Sequence, residues 1–173
     1  MAPEVQIGKF PRGLTRLAVD RVGAIPSQPI QEPDMSDPSK RVPEAIRRWH
    51  EIAAARDAAR LDALLADDVV FHSPVVHTPQ RGKVIVKAYL SAALSVFGNE
   101  HFRYVGEWIG ADSAVLEFNT RIDEVEVDGV DMIGVDAEGK IISFKVMVRP
   151  LKAIQAVHQK MAARLSAMQQ QQQ

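Results

Sequence analysis

Asp131 is the residue on which any chemistry in this 173-residue chain must be argued. It lies in Val125–Pro150, VEVDGVDMIGVDAEGKIISFKVMVRP, where Val125, Val127, Gly129, Ile133 and Val135 share its parity. On the following limb Phe144, Val146 and Val148 alternate with Ser143, Lys145, Met147 and Arg149. This two-residue period, rich in β-branched side chains, predicts two half-buried strands. Asp136-Ala137-Glu138-Gly139 joins them as a hairpin loop closed by Gly139. Asp131 is therefore a carboxyl on a core-facing position, which must find a partner, keep its proton or do a job. Protonated, it can donate to a developing oxyanion; ionised, it can act as a base.

Other chemistries lose their residues. With no cysteine, the chain has no disulfide, thiolate nucleophile or zinc–thiolate site. No His-x-x-x-His pair or carboxylate triad has metal-ligand spacing, so neither a metal nor a cofactor is expected. A formal charge of −1 offers no basic field for nucleic acid or an acidic membrane surface. No apolar run approaches the roughly 20 residues of a membrane span. Pro3, Glu4, Gly8, Lys9, Pro11 and Arg12 interrupt any secretory leader, and a cytoplasmic protein is expected.

The elements that must position Asp131 follow from periodicity. Residues 1–41 hold Pro3, Pro11, Pro26, Pro29, Pro33 and Pro38 and are expected to form a flexible arm, with Met35 as an alternative start. Pro43 opens a helix with Ala45, Ile46, Trp49, Ile52 and Ala53 on its inner face. Asp57 N-caps a second, short helix carrying Leu61, Leu64 and Leu65, which Asp67-Asp68 end. Val69–Ser73 reads as a strand stopped by Pro74, and Val75–Arg81 as a loop. A helix from Gly82 to Phe97 ends at Gly98-Asn99. Strands at Phe102–Ile109 and Ala114–Ile122 precede the central hairpin. Residues 151–168 form an amphipathic helix, and 169–173 a glutamine tail. The order predicts an α+β fold: an antiparallel sheet with helices gathered on one side.

That order, with LDALLADDVVFHSPV, the Gly82-Lys83 helix opening and VDMIGVDAEGKIISF, resembles the nuclear-transport-factor-2-like superfamily in its SnoaL-like branch, over residues 42–150. The resemblance implies a curved antiparallel sheet forming a cone around helices, with a pocket at the wide end and the C-terminal helix appended. It also implies a homodimer through the outer sheet face, where Val130, Met132 and Met147 stand among charges. Ketosteroid isomerase is the functional comparison within the superfamily. There Trp49 stands at the oxyanion tyrosine, Ser73 at the general-base aspartate, and Asp131 at a second oxyanion-hole acid that stays protonated. Leu90 replaces a supporting tyrosine.

The candidate catalytic set is thus Asp131, with Trp49 and Ser73 as polar positioners and His77, in the loop bordering the expected pocket mouth, as a proton carrier. Phe71, Val86, Tyr89, Phe118, Ile133, Phe144 and Val146 are the expected apolar lining for a small, ring-containing hydrophobic ligand. An epoxide-hydrolase set would need Arg121 and Asp123 inside the cone, but their parity is opposite to that of Leu116 and Phe118. Two functions stay open. One is a cofactor-independent isomerase, dehydratase or cyclase acting on a hydrophobic carbonyl compound. The other is a non-catalytic ligand-binding or dimeric interaction module of the same fold, suggested by the missing base at Ser73.

Overall fold

A computed structural model describes residues 44–171. The expected arm over 1–41, the helix-opening Pro43 and the last two glutamines lie outside the described residues. The elements are α1 (Glu44–Ala55), a 3-10 turn (Ala58–Arg60), α2 (Leu61–Leu64), β1 (Leu65–His72), β2 (Gln80–Arg81), α3 (Lys83–Phe97), β3 (Arg103–Ile109), β4 (Ser113–Ile122), β5 (Val125–Val135), β6 (Ile141–Arg149) and α4 (Leu151–Gln170). Among the described residues no helix is long and apolar enough to cross a membrane.

The strands form one unclosed sheet in the order β2-β1-β6-β5-β4-β3. Its pairs are antiparallel except β1 with β6, which run parallel. The expected antiparallel sheet is therefore mixed. β1 also starts earlier than its sequence suggests. Leu65 pairs with Ile141, and a register shift before Val70 carries Asp67 and Asp68 outward, so these two acids sit within a strand instead of ending a helix. Further shifts fall between Tyr104 and Gly106 and between Gly134 and Val135. Such bulges bend a strand and sharpen its twist, which curves the sheet about the helices on its inner face.

Alternation decides what the inner face carries. On β5 Val127, Asp131, Ile133 and Val135 are buried, while Met132 between them is exposed. β4 does the same with Ala114, Leu116, Phe118, Thr120 and Ile122. α1 sets Ala45, Ile46, Trp49, Ile52 and Ala53 against this face, and Trp49 meets Phe144 edge-on at 4.8 Å between ring centres. Its outer side holds Arg47 and Arg48 on Glu44, exposed pairs that add little stability. Asp57 caps the 3-10 turn through Ala59 N–H, as its position suggested. α4 buries Ala153, Val157 and Met161 against its own chain, beside α3 and the β4–β6 strands.

Two glycines matter. Gly139, at φ +75°, closes the β5–β6 turn in the left-handed region, where Asp136 accepts from Gly139 N–H and its side chain from Lys140 N–H. Gly129 faces inward opposite Phe118, and a Cβ there would lie 2.4 Å from the Phe118 ring and 2.7 Å from the Met147 carbonyl oxygen. The Phe118 ring thus occupies the space a side chain would need. Gly129→Ala is expected to cost roughly 1–3 kcal/mol of stability in urea unfolding through overpacking. Gly134→Ala, whose close neighbour is the rotatable Ser143 hydroxyl at 2.5 Å, should cost less. Equal losses would show that the Phe118 ring yields.

Candidate active-site cavity

Asp131 is reached from two other elements. Trp49 on α1 donates its indole N–H to the Tyr104 hydroxyl at 2.8 Å, and Tyr104 on β3 donates to Asp131 Oδ2 at 2.9 Å. The direction follows from chemistry: an indole nitrogen can only donate, so the tyrosine oxygen accepts from it and sends its own proton to the carboxyl. Tyr104 lies opposite Phe118, and Asp131 opposite Leu116, so the phenol reaches diagonally across β4. With Phe118 seated over Gly129, that diagonal path is clear.

The bulge at Val105 adds a second tie. Beyond it the register places Glu107 opposite Leu116, on the helix side, where Glu107 Oε1 meets His50 Nε2 at 3.1 Å. Consecutive residues of α1, Trp49 and His50, therefore both grip β3. The His50 ring also stands edge-on to Tyr104 at 5.2 Å.

The Trp49–Tyr104–Asp131 chain borders a cavity of about 50 Å³. Its polar lining is Trp49, Tyr104 and Asp131. Leu90, Ala93, Leu94 and Phe97 of α3 form one wall, and Phe118, Phe144 and Val146 of the sheet form another. Phe102, just before β3, lines the remaining side. α4 contributes no lining residue.

Electrostatics in this enclosure are dominated by loss of water. Burial pushes the Asp131 carboxyl from 3.8 up to about 7, against the pull of the Tyr104 hydrogen bond toward the ionised form. Burial likewise raises the Tyr104 hydroxyl well above its usual range; the nearby Asp131 charge adds to this and the Trp49 hydrogen bond opposes it. Among the described residues no cation contributes to the Asp131 shift. A carboxyl so placed exists in both protonation states near neutral pH, which suits it to give and take a proton.

The structure gathers part of the expected set. Trp49 reaches the site through a hydrogen bond to Tyr104, not one to Asp131. Ser73 lies outside the cavity lining, its Oγ accepting from Val75 N–H at 3.2 Å in the turn forced by Pro74. His77 is exposed and also outside the lining. Phe118, Phe144 and Val146 line the cavity, whereas Phe71, Val86 and Ile133 are buried in the surrounding core. Tyr89 packs on Phe71 at 5.6 Å, away from the lining. Arg121 and Asp123 face Glu126 and Lys160, at 3.2 and 3.0 Å. Among the described residues no three His, Asp or Glu side chains gather as a metal site.

Tyr104 is the residue that sequence reasoning missed. The signal was a mutual need: an inward tyrosine hydroxyl wants a partner, and so does a lone inward carboxyl.

The chain matches the SnoaL-like domain over residues 46–144. The crystal structure of a steroid delta-isomerase from Pseudomonas aeruginosa is 40% identical, covers 72% of this chain and 90% of that one, and superposes with a TM-score of 0.68. This chain belongs to the SnoaL-like family. An uncharacterized bacterial protein with a cystatin-like fold from Silicibacter pomeroyi is 34% identical over 70% of this chain and 85% of its own, with a TM-score of 0.66. An NTF2-like protein from Mesorhizobium loti, 22% identical over 66% of this chain and 95% of its own at a TM-score of 0.57, shares the fold. No curated protein matches the sequence. The six-stranded curved sheet with its helices is thus the cone of the nuclear-transport-factor-2-like superfamily, with α4 added at its C-terminal end.

The raised Asp131 pKa has a definite sign in stability. Between about pH 4 and 7 the folded state holds a proton that the unfolded state releases, so stability from this group is full below pH 4 and declines as pH rises to 7. The loss amounts to roughly 4 kcal/mol at most. Asp131→Asn should flatten this decline, as read by denaturant midpoints across the range. Tyr104→Phe removes the bond that favours the ionised form and should move the carboxyl midpoint, followed by carbon NMR, further upward. A wild-type profile matching that of Asp131→Asn would show the carboxyl to be solvated.

Proposed function

We propose that this SnoaL-like pocket protein binds a small, ring-containing hydrophobic carbonyl compound and that Asp131 moves a proton on it without a cofactor. The observation that carries this reading is the one buried carboxyl among the described residues, bonded to a single hydroxyl, bordering a mostly apolar cavity. The steroid delta-isomerase relative supports a ring-bearing substrate. In the ionised state Asp131 takes a proton from the carbon next to the carbonyl; in the protonated state it returns one to the enolate, at the same carbon or further along a conjugated system. Trp49 and Tyr104 position it: the indole fixes the phenol, and the phenol fixes the carboxyl. This is isomerase, dehydratase or cyclase chemistry, in which a dry and prearranged site does most of the work.

A second reading rests on its own observation. Ser73 is engaged in a turn and His77 is exposed, so among the described residues the cavity has no second proton carrier beyond Tyr104. A ligand-binding module without turnover would use the same cavity and the same carboxyl for recognition alone.

The outer sheet face suits a second copy of the chain. Trp108, Met132 and Met147 stand there 59%, 40% and 52% exposed, and the register sets Trp108, Val115 and Met132 in one row. An apolar centre rimmed by Lys145 and Glu117 is the composition of a homodimer contact. Met132→Lys should turn a dimer into a monomer in light scattering. A monomeric wild type would remove this surface from the reading.

Catalysis is tested with a β,γ-unsaturated ring ketone, whose conjugated product absorbs in the ultraviolet. Asp131→Asn should slow the conversion by about 100-fold or more. Binding is tested with a nitrophenol that reports its own ionisation. Its phenolate should bind while Asp131 keeps its proton and weaken as pH rises through about 7. The Asn variant should lack that step. Phenolate binding with the step but no conversion of any ring ketone would favour the binding module.

A further inference from the structure

The cavity is too small for what its family resemblance suggests. At about 50 Å³ it is well short of the roughly 150 Å³ in which an apolar cavity holds one benzene ring. A ring can enter only if a wall gives way, and the walls differ in how firmly they are held.

Phe144 is buried on a central strand and packed against Trp49. Phe118 is buried in the space left by Gly129, with Phe97 edge-on at 5.6 Å and Phe102 stacked at 5.7 Å. Phe97 ends α3, and its carbonyl accepts from Thr120 Oγ1 at 3.1 Å and from Asn99 N–H at 2.8 Å. Asn99 continues that latch. Its Oδ1 shares the one Thr120 hydroxyl proton with that carbonyl and accepts from His101 N–H, and its Nδ2 donates to the Arg121 carbonyl at 2.7 Å. Thr120 is, with Asp131, one of two buried polar residues in the described chain, and its hydroxyl ties the end of α3 to β4. Tyr104 is held by both hydrogen bonds of the proton chain.

Phe102 is the aromatic wall that stands outside the helices and strands, tied by its N–H to the Asn99 carbonyl at 3.2 Å while its ring bears no hydrogen bond. It follows the latch, is half-buried, and rests on Phe118 and on the edge of Tyr104 at 5.1 Å. Rotation of its side chain toward solvent would vacate the space of one ring in the cavity that Asp131 also lines.

We propose that Phe102 is the size gate of this cavity, and that the ligand is a one-ring carbonyl or enol compound, smaller than a fused polycycle. Ring entry exchanges one phenyl group for one ligand ring. A four-ring body would also have to displace Phe118 or Phe97, which the Gly129 contact and the Thr120–Asn99 latch resist. The inference rests on the proposed reading that the cavity takes ring-bearing oxygen compounds; it adds their size and the residue that sets it.

The test uses the full chain near neutral pH, titrated with phenols of one, two and four rings, each followed by its own absorbance or fluorescence. Wild type should bind the one-ring phenol at least about tenfold more tightly than the four-ring phenol. Phe102→Ala should improve four-ring binding by about tenfold or more, with Phe102→Leu, which keeps an apolar packing group, in between. Circular dichroism establishes that the variants are folded. Equal wild-type affinity for one and four rings overturns the gate and leaves the proposed function standing. Unchanged four-ring binding in a folded Phe102→Ala moves the restriction to another wall and overturns the assignment. Binding of no phenol by wild type or either variant overturns the proposed function and this inference together.

Discussion

Enclosing the Asp131 carboxyl beside one tyrosine hydroxyl, with no cation among the described residues contributing to its shift, is the constraint on which the rest of the structure depends. Lost hydration disfavours the charged form, so the group holds its proton to about pH 7. A nearby lysine or arginine would have reversed that outcome and left an ordinary buried ion pair. A bonded chain of purely neutral donors leaves the carboxyl balanced between its two states instead. Trp49 and Tyr104 are placed to serve that balance, and the apolar walls maintain it by excluding water.

Irregular backbone does much of the placing. Regular alternation along β3 would put Tyr104 and Glu107 on opposite faces. The bulge at Val105 sets both toward α1, where Trp49 and His50 receive them. Gly129 does similar work through an absence: by giving up a side chain it receives Phe118 and leaves the diagonal from Tyr104 to Asp131 open. These features sit beside the cavity, where local departures from ideal geometry are expected to serve position more than stability.

Membership of the SnoaL-like family establishes the fold and leaves the reaction to the site. Where the ketosteroid isomerase comparison calls for a carboxylate base, this chain has a serine occupied by its own turn. Where that comparison calls for a tyrosine on the first helix, the chain has a tryptophan, and the phenol arrives from β3. The hydroxyl and the inner carboxyl thus meet although the hydroxyl comes from a different element. The arrangement of these groups differs accordingly, and Asp131 is the carboxyl that lines the cavity.

Much of this was legible in the order of residues. Alternation in Val125–Val135 placed Asp131 inside, because strand side chains change face at every residue whatever lies around them. Helical spacing did the same for Trp49, and the Asp136–Gly139 turn set the hairpin register. Long-range facts were not legible. The parallel pairing of β1 with β6, the bulge that re-aims β3 and the reach of Tyr104 to Asp131 each join segments far apart in the chain, and no local propensity encodes which strand a bulge will face. Ser73 and Phe71 show the same limit: parity gave each a face, but the turn at Pro74 and the packing of α3 decided which inward side chains reach the cavity. Sequence alone determined that a carboxyl would be buried, since that is a matter of local period. Tertiary structure decided what it would meet there, because partners, enclosed volume and lost water are properties of surfaces brought together only by folding.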